Sequence, residues 1–220
     1  MKLTQWLLAG LVVTTSFYTQ EVSAQNIDMR YSVLYSKLKQ NEKEGHDDVK
    51  IAFFLLDQRD GRVCEIQKGW MQKDEHYEAL VIPANNELLV PIDTNLRQAN
   101  PDVTFVIDDG IICDVSIQVM AKLAYGDQIS QRDIQSLVPQ MDQTLSDLGG
   151  MFSSWFMPDV AGVIVHFDKP ISENITLANG INTERQGNKV ILKLADLHTG
   201  EQINFPYPSV KVTPWIPKAQ

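Results

Sequence analysis

The sequence holds little of what most quickly betrays a function. It has two cysteines, Cys64 and Cys113, and four histidines, none of them in a CxxC, HxH or HExxH arrangement, which excludes a zinc module of regular spacing. There is no run of lysine and arginine, and the formal net charge is −9. Such a chain is repelled by phosphate backbones, so nucleic acid is excluded as a partner. No GxSxG elbow is present, and Ser153 and Ser154 lie among aromatics without a neighbouring base. No glycine-rich loop opens a helix: Gly149 and Gly150 follow one, so their amides point the wrong way for a phosphate, and nucleotide binding is set aside. No cofactor is expected. No apolar run reaches the ~18–20 residues of a membrane span, which argues against stable membrane insertion.

What is present begins with an export signal over residues 1–24. Lys2 supplies the positive start, residues 6–13 a short apolar core, and Val22, Ser23 and Ala24 the small side chains of a cleavage site. The mature chain is expected to begin near Gln25 as a soluble exported protein. No cysteine follows the apolar core, so it is not expected to be a lipoprotein.

Within residues 111–120, Cys113, Val115, Ile117 and Val119 alternate with Asp114, Ser116 and Gln118. This is the period-two pattern of a half-buried strand. Cys64 has Ile66 two positions on, so both thiols are expected on inward strand faces. In an exported chain they suggest one buried disulfide, with a redox-active pair as the alternative.

Taken in order, residues 31, 34, 35 and 38 form one helical stripe. Residues 49–57 are nearly all apolar, so both faces of that strand must be covered. Strands are predicted over 63–72, 76–83, 88–92, 103–107 and 111–120, with turns at 58–61 and 108–110 read as hairpins and 95–101 as irregular. Ile134, Leu137, Val138, Met141, Leu145 and Leu148 define a helix over 130–149 that Ser130 and Asp133 cap and Pro139 interrupts. The proline predicts a kink, or a turn followed by a restart. Strands resume over 160–167, 175–177, 190–194 and 210–213. The reading is an α+β, β-rich fold: antiparallel sandwich-like sheets with an N-terminal helix and a central kinked helix. Its parts are an N-terminal helix and disulfide-tied β-lobe (25–125), a helical connector (126–150) and a second β-lobe (151–220).

Candidate chemistry is scattered. Asp74, His76 and Glu78 share a face if residues 76–83 are a strand, and His166 lies with Asp168 on another. His76, Glu78 and His166 are the metal-ligand candidates, against the plainer reading of charged hairpin ends facing water. Trp155 and Phe156, with Trp70 or Trp215, offer a surface for stacking on a sugar or docking a partner, or else they pack against the helix.

Residues 31–39 (YSVLYSKLK), 64–66 (CEI), 69–71 (GWM), 86–101 (NELLVPIDTNLRQANP) and 147–158 (DLGGMFSSWFMP) together resemble domain-of-unknown-function 2987, a family of exported gamma-proteobacterial proteins. The resemblance implies a periplasmic setting and supports pairing of Cys64 with Cys113. It carries no activity and no catalytic residues. The expected function is a non-enzymatic periplasmic binding or accessory module with an envelope protein or a glycan as partner. The alternative is a metal-assisted hydrolase using His76, Glu78 and His166.

Overall fold

A computed structural model of the chain describes residues 24–149 and 158–218. The architecture is α+β and strand-rich, with 42% of residues in strands and 21% in helices. Among the described residues every paired strand is antiparallel: β1 (Ala24–Arg30), β5 (Asp102–Asp108), β3 (Ile66–Lys73) and β4 (His76–Leu80) make one sheet in that order. A second sheet runs β12 (Lys211–Trp215), β8 (Gly162–His166), β10 (Lys189–Lys193), β9 (Glu184–Gln186). Two ribbons complete the fold, β2 (Val49–Asp57) with β6 (Cys113–Ala121), and β7 (Gly126–Ser130) with β11 (Gln202–Ser209).

The helices form where the apolar stripes require them. In α1 (Tyr31–Leu38) the stripe residues Tyr31, Leu34, Tyr35 and Leu38 are all buried. The phenol of Tyr31 donates to the Pro91 carbonyl at 2.6 Å and accepts the Asp93 amide at 3.0 Å, so the buried hydroxyl is satisfied. In α3 (Gln131–Gly149) Ser130 and Asp133 make the reciprocal capping bonds, amide to side chain in each direction, at 2.9 and 3.2 Å. The helix runs through Pro139 without a break. The restart alternative is therefore set aside: buried Leu137, Val138 and Met141 hold the helix through the proline.

Ribbon β2–β6 is the spine between two buried clusters. On one face, Val49 and Ile51 pack with α3 and with Val163, Val165, Val190 and Val212 of the second sheet. Further along that same face, Phe53 and Leu55 pack with α1, Met71, Val103 and Phe105. Ala52, Phe54 and Met120 form a smaller cluster on the other face. Both faces of β2 are covered, as its unbroken apolar run requires. Its edge away from β6 meets no full strand. The Asn41 side chain donates to Ile51 O and accepts the Ile51 amide, and the amides of Leu88 and Cys64 donate to Phe53 O and Leu55 O, which satisfies it instead.

Cys64 and Cys113 are joined in a disulfide with Cα atoms 6.6 Å apart. The bridge ties the start of β6 to the segment just before β3, and so links the ribbon to the first sheet.

Several sequence expectations are corrected. Residues 88–92 are not a strand, because that segment bonds singly to β2 and to Tyr31. Residues 94–99 are helical instead of irregular: Asp93 accepts the amides of Asn95 and Leu96 and starts α2 (Thr94–Ala99), and Asn100, at φ 48°, ends it. Residues 108–110 form a turn but not a hairpin, since β5 and β6 pair in different sheets. The strand predicted over 63–72 changes partner along its length: Val63 bridges Leu56 of β2, and β3 proper, from Ile66, pairs with β5. On β6, Cys113 and Val119 are buried, yet Val115 and Ile117 between them are exposed. They oppose Leu55 and Phe53, which are themselves buried, so alternation fixed their face but not its burial.

Candidate functional site

Two clefts gather the chemically competent side chains. The first, of about 740 Å³, lies beneath the end of hairpin β3–β4 and beside α2. The register pairs Lys73 with His76, leaving Asp74 and Glu75 as a two-residue turn. Asp74 takes φ 51°, which aspartate tolerates. By strand alternation Met71, Lys73, His76 and Glu78 share the inward face. Met71 is buried in the core, whereas Glu78 directly opposite it and His76 nearer the hairpin tip are exposed and line the cleft. Leu96, Ala99 and Pro101 form the opposite wall. The cleft is thus apolar at its base and ringed by Asp74, Glu75 and Glu78 against the single cation Lys73.

On the other face of the same hairpin, Trp70 and Tyr77 stack with ring centroids 6.2 Å apart, and Lys68 lies 5.6 Å over Trp70. Tyr77 is 62% exposed. Strand β4 ends the sheet, pairing only with β3 among the described residues. Its outer edge therefore presents unpaired backbone donors and acceptors beside the cleft.

The second cleft, of about 570 Å³, lies between the turn after β2 and the face of sheet β12–β8–β10. Here the register sets Lys189 of β10 and Lys211 of β12 directly opposite His166 of β8, one on each side. His166 Nε2 is 2.8 Å from Thr213 Oγ1. Burial, reinforced by the positive charges of Lys211 and Lys189, pushes the His166 imidazole down to about 3.

That depression fixes the sign of an acid sensitivity. The unfolded chain binds a proton at this histidine near its ordinary value of 6.5, and the folded chain only near 3, so between those values the unfolded state holds more protons and stability falls as pH falls. We expect the unfolding free energy of the His166→Gln variant, from urea denaturation, to decline less from pH 6.5 to pH 4.5 than that of the unsubstituted chain, by up to about 1 kcal/mol per pH unit. Parallel declines in the two proteins would refute a neutral His166.

The sequence candidates are thus separated. His76 and Glu78 meet in the first cleft, whereas His166 lines the second, on a different sheet. Among the described residues no group of three or more His, Cys, Asp or Glu is arranged to hold a metal ion. Asp168, grouped with His166 by alternation, is exposed, and the histidine's hydrogen-bond partner is Thr213 instead. Trp155 and Phe156 lie outside the described residues. Trp215 has Lys193 at 5.3 Å from its ring. Sequence reasoning missed Lys189 and Lys211: each shows only the alternation of its own strand, and the row they form with His166 exists only once three strands are in register.

No described helix is long and apolar enough to cross a membrane. No curated protein and no solved structure matches the chain. A family model described as a protein of unknown function (DUF2987) matches residues 23–167, a stretch that takes in β1 to β8, the three described α-helices, both cysteines and the whole first cleft. On that match, the chain belongs to the DUF2987 family.

Proposed function

We propose that this chain is an exported, periplasmic, non-enzymatic binding module that takes an extended, cationic segment of an envelope protein along the open edge of β4. The observation that carries the reading is an unpaired edge strand standing over a cleft with an apolar base and an acidic rim. An added strand would satisfy the edge amides and carbonyls, and its alternate side chains would drop into the cleft, where lysine or arginine meets Asp74, Glu75 and Glu78. Binding is favoured over hydrolysis because the side chains of His76 and Glu78 have no hydrogen bond or ion pair among the described residues to fix their orientation. Catalytic and metal-ligating groups depend on such second partners. Export is supported by the signal-like pattern of residues 1–24 and by the disulfide. The proposed lobes at 25–125 and 151–220, joined by 126–150, would move as one body, since ribbon β2–β6 contributes to both buried clusters.

A peptide array of extended sequences, probed with the purified chain, tests this. Peptides alternating lysine or arginine with apolar residues are expected to bind, and the double variant Glu75→Lys, Glu78→Lys to lose at least about tenfold in affinity, or about 1.4 kcal/mol. Equal binding by the variant, or no preference for cationic peptides, would contradict the reading.

A further inference from the structure

The second cleft carries a separate site. Lys189, His166 and Lys211 occupy one cross-strand row on β10, β8 and β12, and all three line the cleft. On the opposite face of the sheet Val190, Val165 and Val212 are fully buried, so the row's face is fixed. Lys189 and Lys211 lie on strands separated by β8, so the row sets two cations, one on either side of a single imidazole.

The charges around the row do not cancel it. Lys211 is half-buried and donates to Gln118 Oε1 at 2.8 Å, with its ammonium 5.2 Å over the Phe54 ring. Both partners are neutral, and a charge withdrawn from water calls for a counter-charge. Neither Lys211 nor Lys189 has an ion pair among the described residues. Of the other charged residues lining the cleft, Asp60 is held by Arg62 at 2.7 Å, and Asp168, exposed as Lys189 is, sets one carboxylate against the row's two lysines. In a chain whose net charge is −9, this is a local surplus of positive charge inside a concavity.

We propose that the row Lys189–His166–Lys211 binds a compact oxyanion, phosphate or carboxylate, which supplies the counter-charge that Lys211 lacks. The two ammonium groups provide the attraction, and the Thr213 hydroxyl and the imidazole provide neutral hydrogen-bonding groups beside it. A neutral imidazole also leaves room for the anion to be recognised by hydrogen bonding and not by charge alone.

The test is a titration of the full chain with sodium phosphate, and separately with sodium acetate, at constant ionic strength made up with chloride. The Lys ammonium and His imidazole resonances are followed by NMR. Saturable shifts at Lys211 and His166 are expected with at least one of the two oxyanions. A response to phosphate alone assigns a phosphorylated ligand, and a response to acetate assigns a carboxylate one. Lys211→Gln is expected to weaken the response at least about tenfold, and the exposed Lys189→Gln, which leaves the buried packing untouched, to weaken it severalfold. No shift beyond that seen with chloride, or shifts that persist unchanged in Lys189→Gln and Lys211→Gln, would overturn the proposal.

Discussion

Replacing Cys64 and Cys113 together with alanine is expected to lower the unfolding free energy by about 4 kcal/mol. The bridged residues are 49 apart in sequence, and closing a loop of that length removes this much freedom from the unfolded chain. Domains of ordinary stability hold only about 5–15 kcal/mol in all, so the variant should sit close to its unfolding transition at growth temperature. The loss has a structural site as well. The bridge fastens the start of β6 to the crossover where the chain leaves β2 for β3, and without it the ribbon and the first sheet rely on Leu56–Val63 pairing and on the packing around Phe53 and Leu55. Urea denaturation with and without reductant measures the effect. Reductant should shift the unsubstituted chain to the midpoint of the double variant and leave the variant where it is. A change below about 1 kcal/mol would mean that the unfolded chain is not constrained by this link.

Replacing Phe105 with alanine is expected to cost about 3–5 kcal/mol. The ring is fully buried in the cluster around Phe53 and Leu55, on β5, the strand flanked by β1 and β3. Its space is set by Gly69, the residue directly opposite on β3. A β-carbon at Gly69 would come within 2.7 Å of Phe105 Cδ1 and 2.9 Å of Cε1, so Gly69→Ala alone should cost about 1–3 kcal/mol by overpacking. In the Phe105→Ala background the same methyl enters vacated space, and its penalty should vanish. The double-mutant cycle is therefore expected to show a coupling of at least about 1 kcal/mol. Additive losses would mean that the ring and the glycine are not matched to one another.

How much of this was written plainly in the sequence depends on the range of the interaction. The stripes of α1 and α3 were legible because helical periodicity is local, and the Ser130–Asp133 box because both partners lie within one turn. Strand β2 was legible because a run apolar on both faces has no other use. Strands β1, β7, β9 and β11 were not recognised: β1 is polar and mostly exposed, and it is a strand because β5 offers it an edge. Likewise the exposure of Val115 and Ile117 depends on what the rest of the fold packs over β6, which no alternation pattern contains. Of the candidate sites, the pairing of His76 with Glu78 followed from period two alone. The row Lys189–His166–Lys211 did not, since it joins residues whose proximity is decided by the register of three strands.

The open edge of β4 is best tested by amide hydrogen exchange of the full chain, with and without a bound peptide that alternates lysine and apolar residues. The β4 amides that do not bond to β3 should exchange fast in the free chain and slow at least about tenfold on binding, as a strand that gains a partner must. Protection that leaves residues 76–80 unchanged and falls elsewhere would show that the peptide does not extend this sheet.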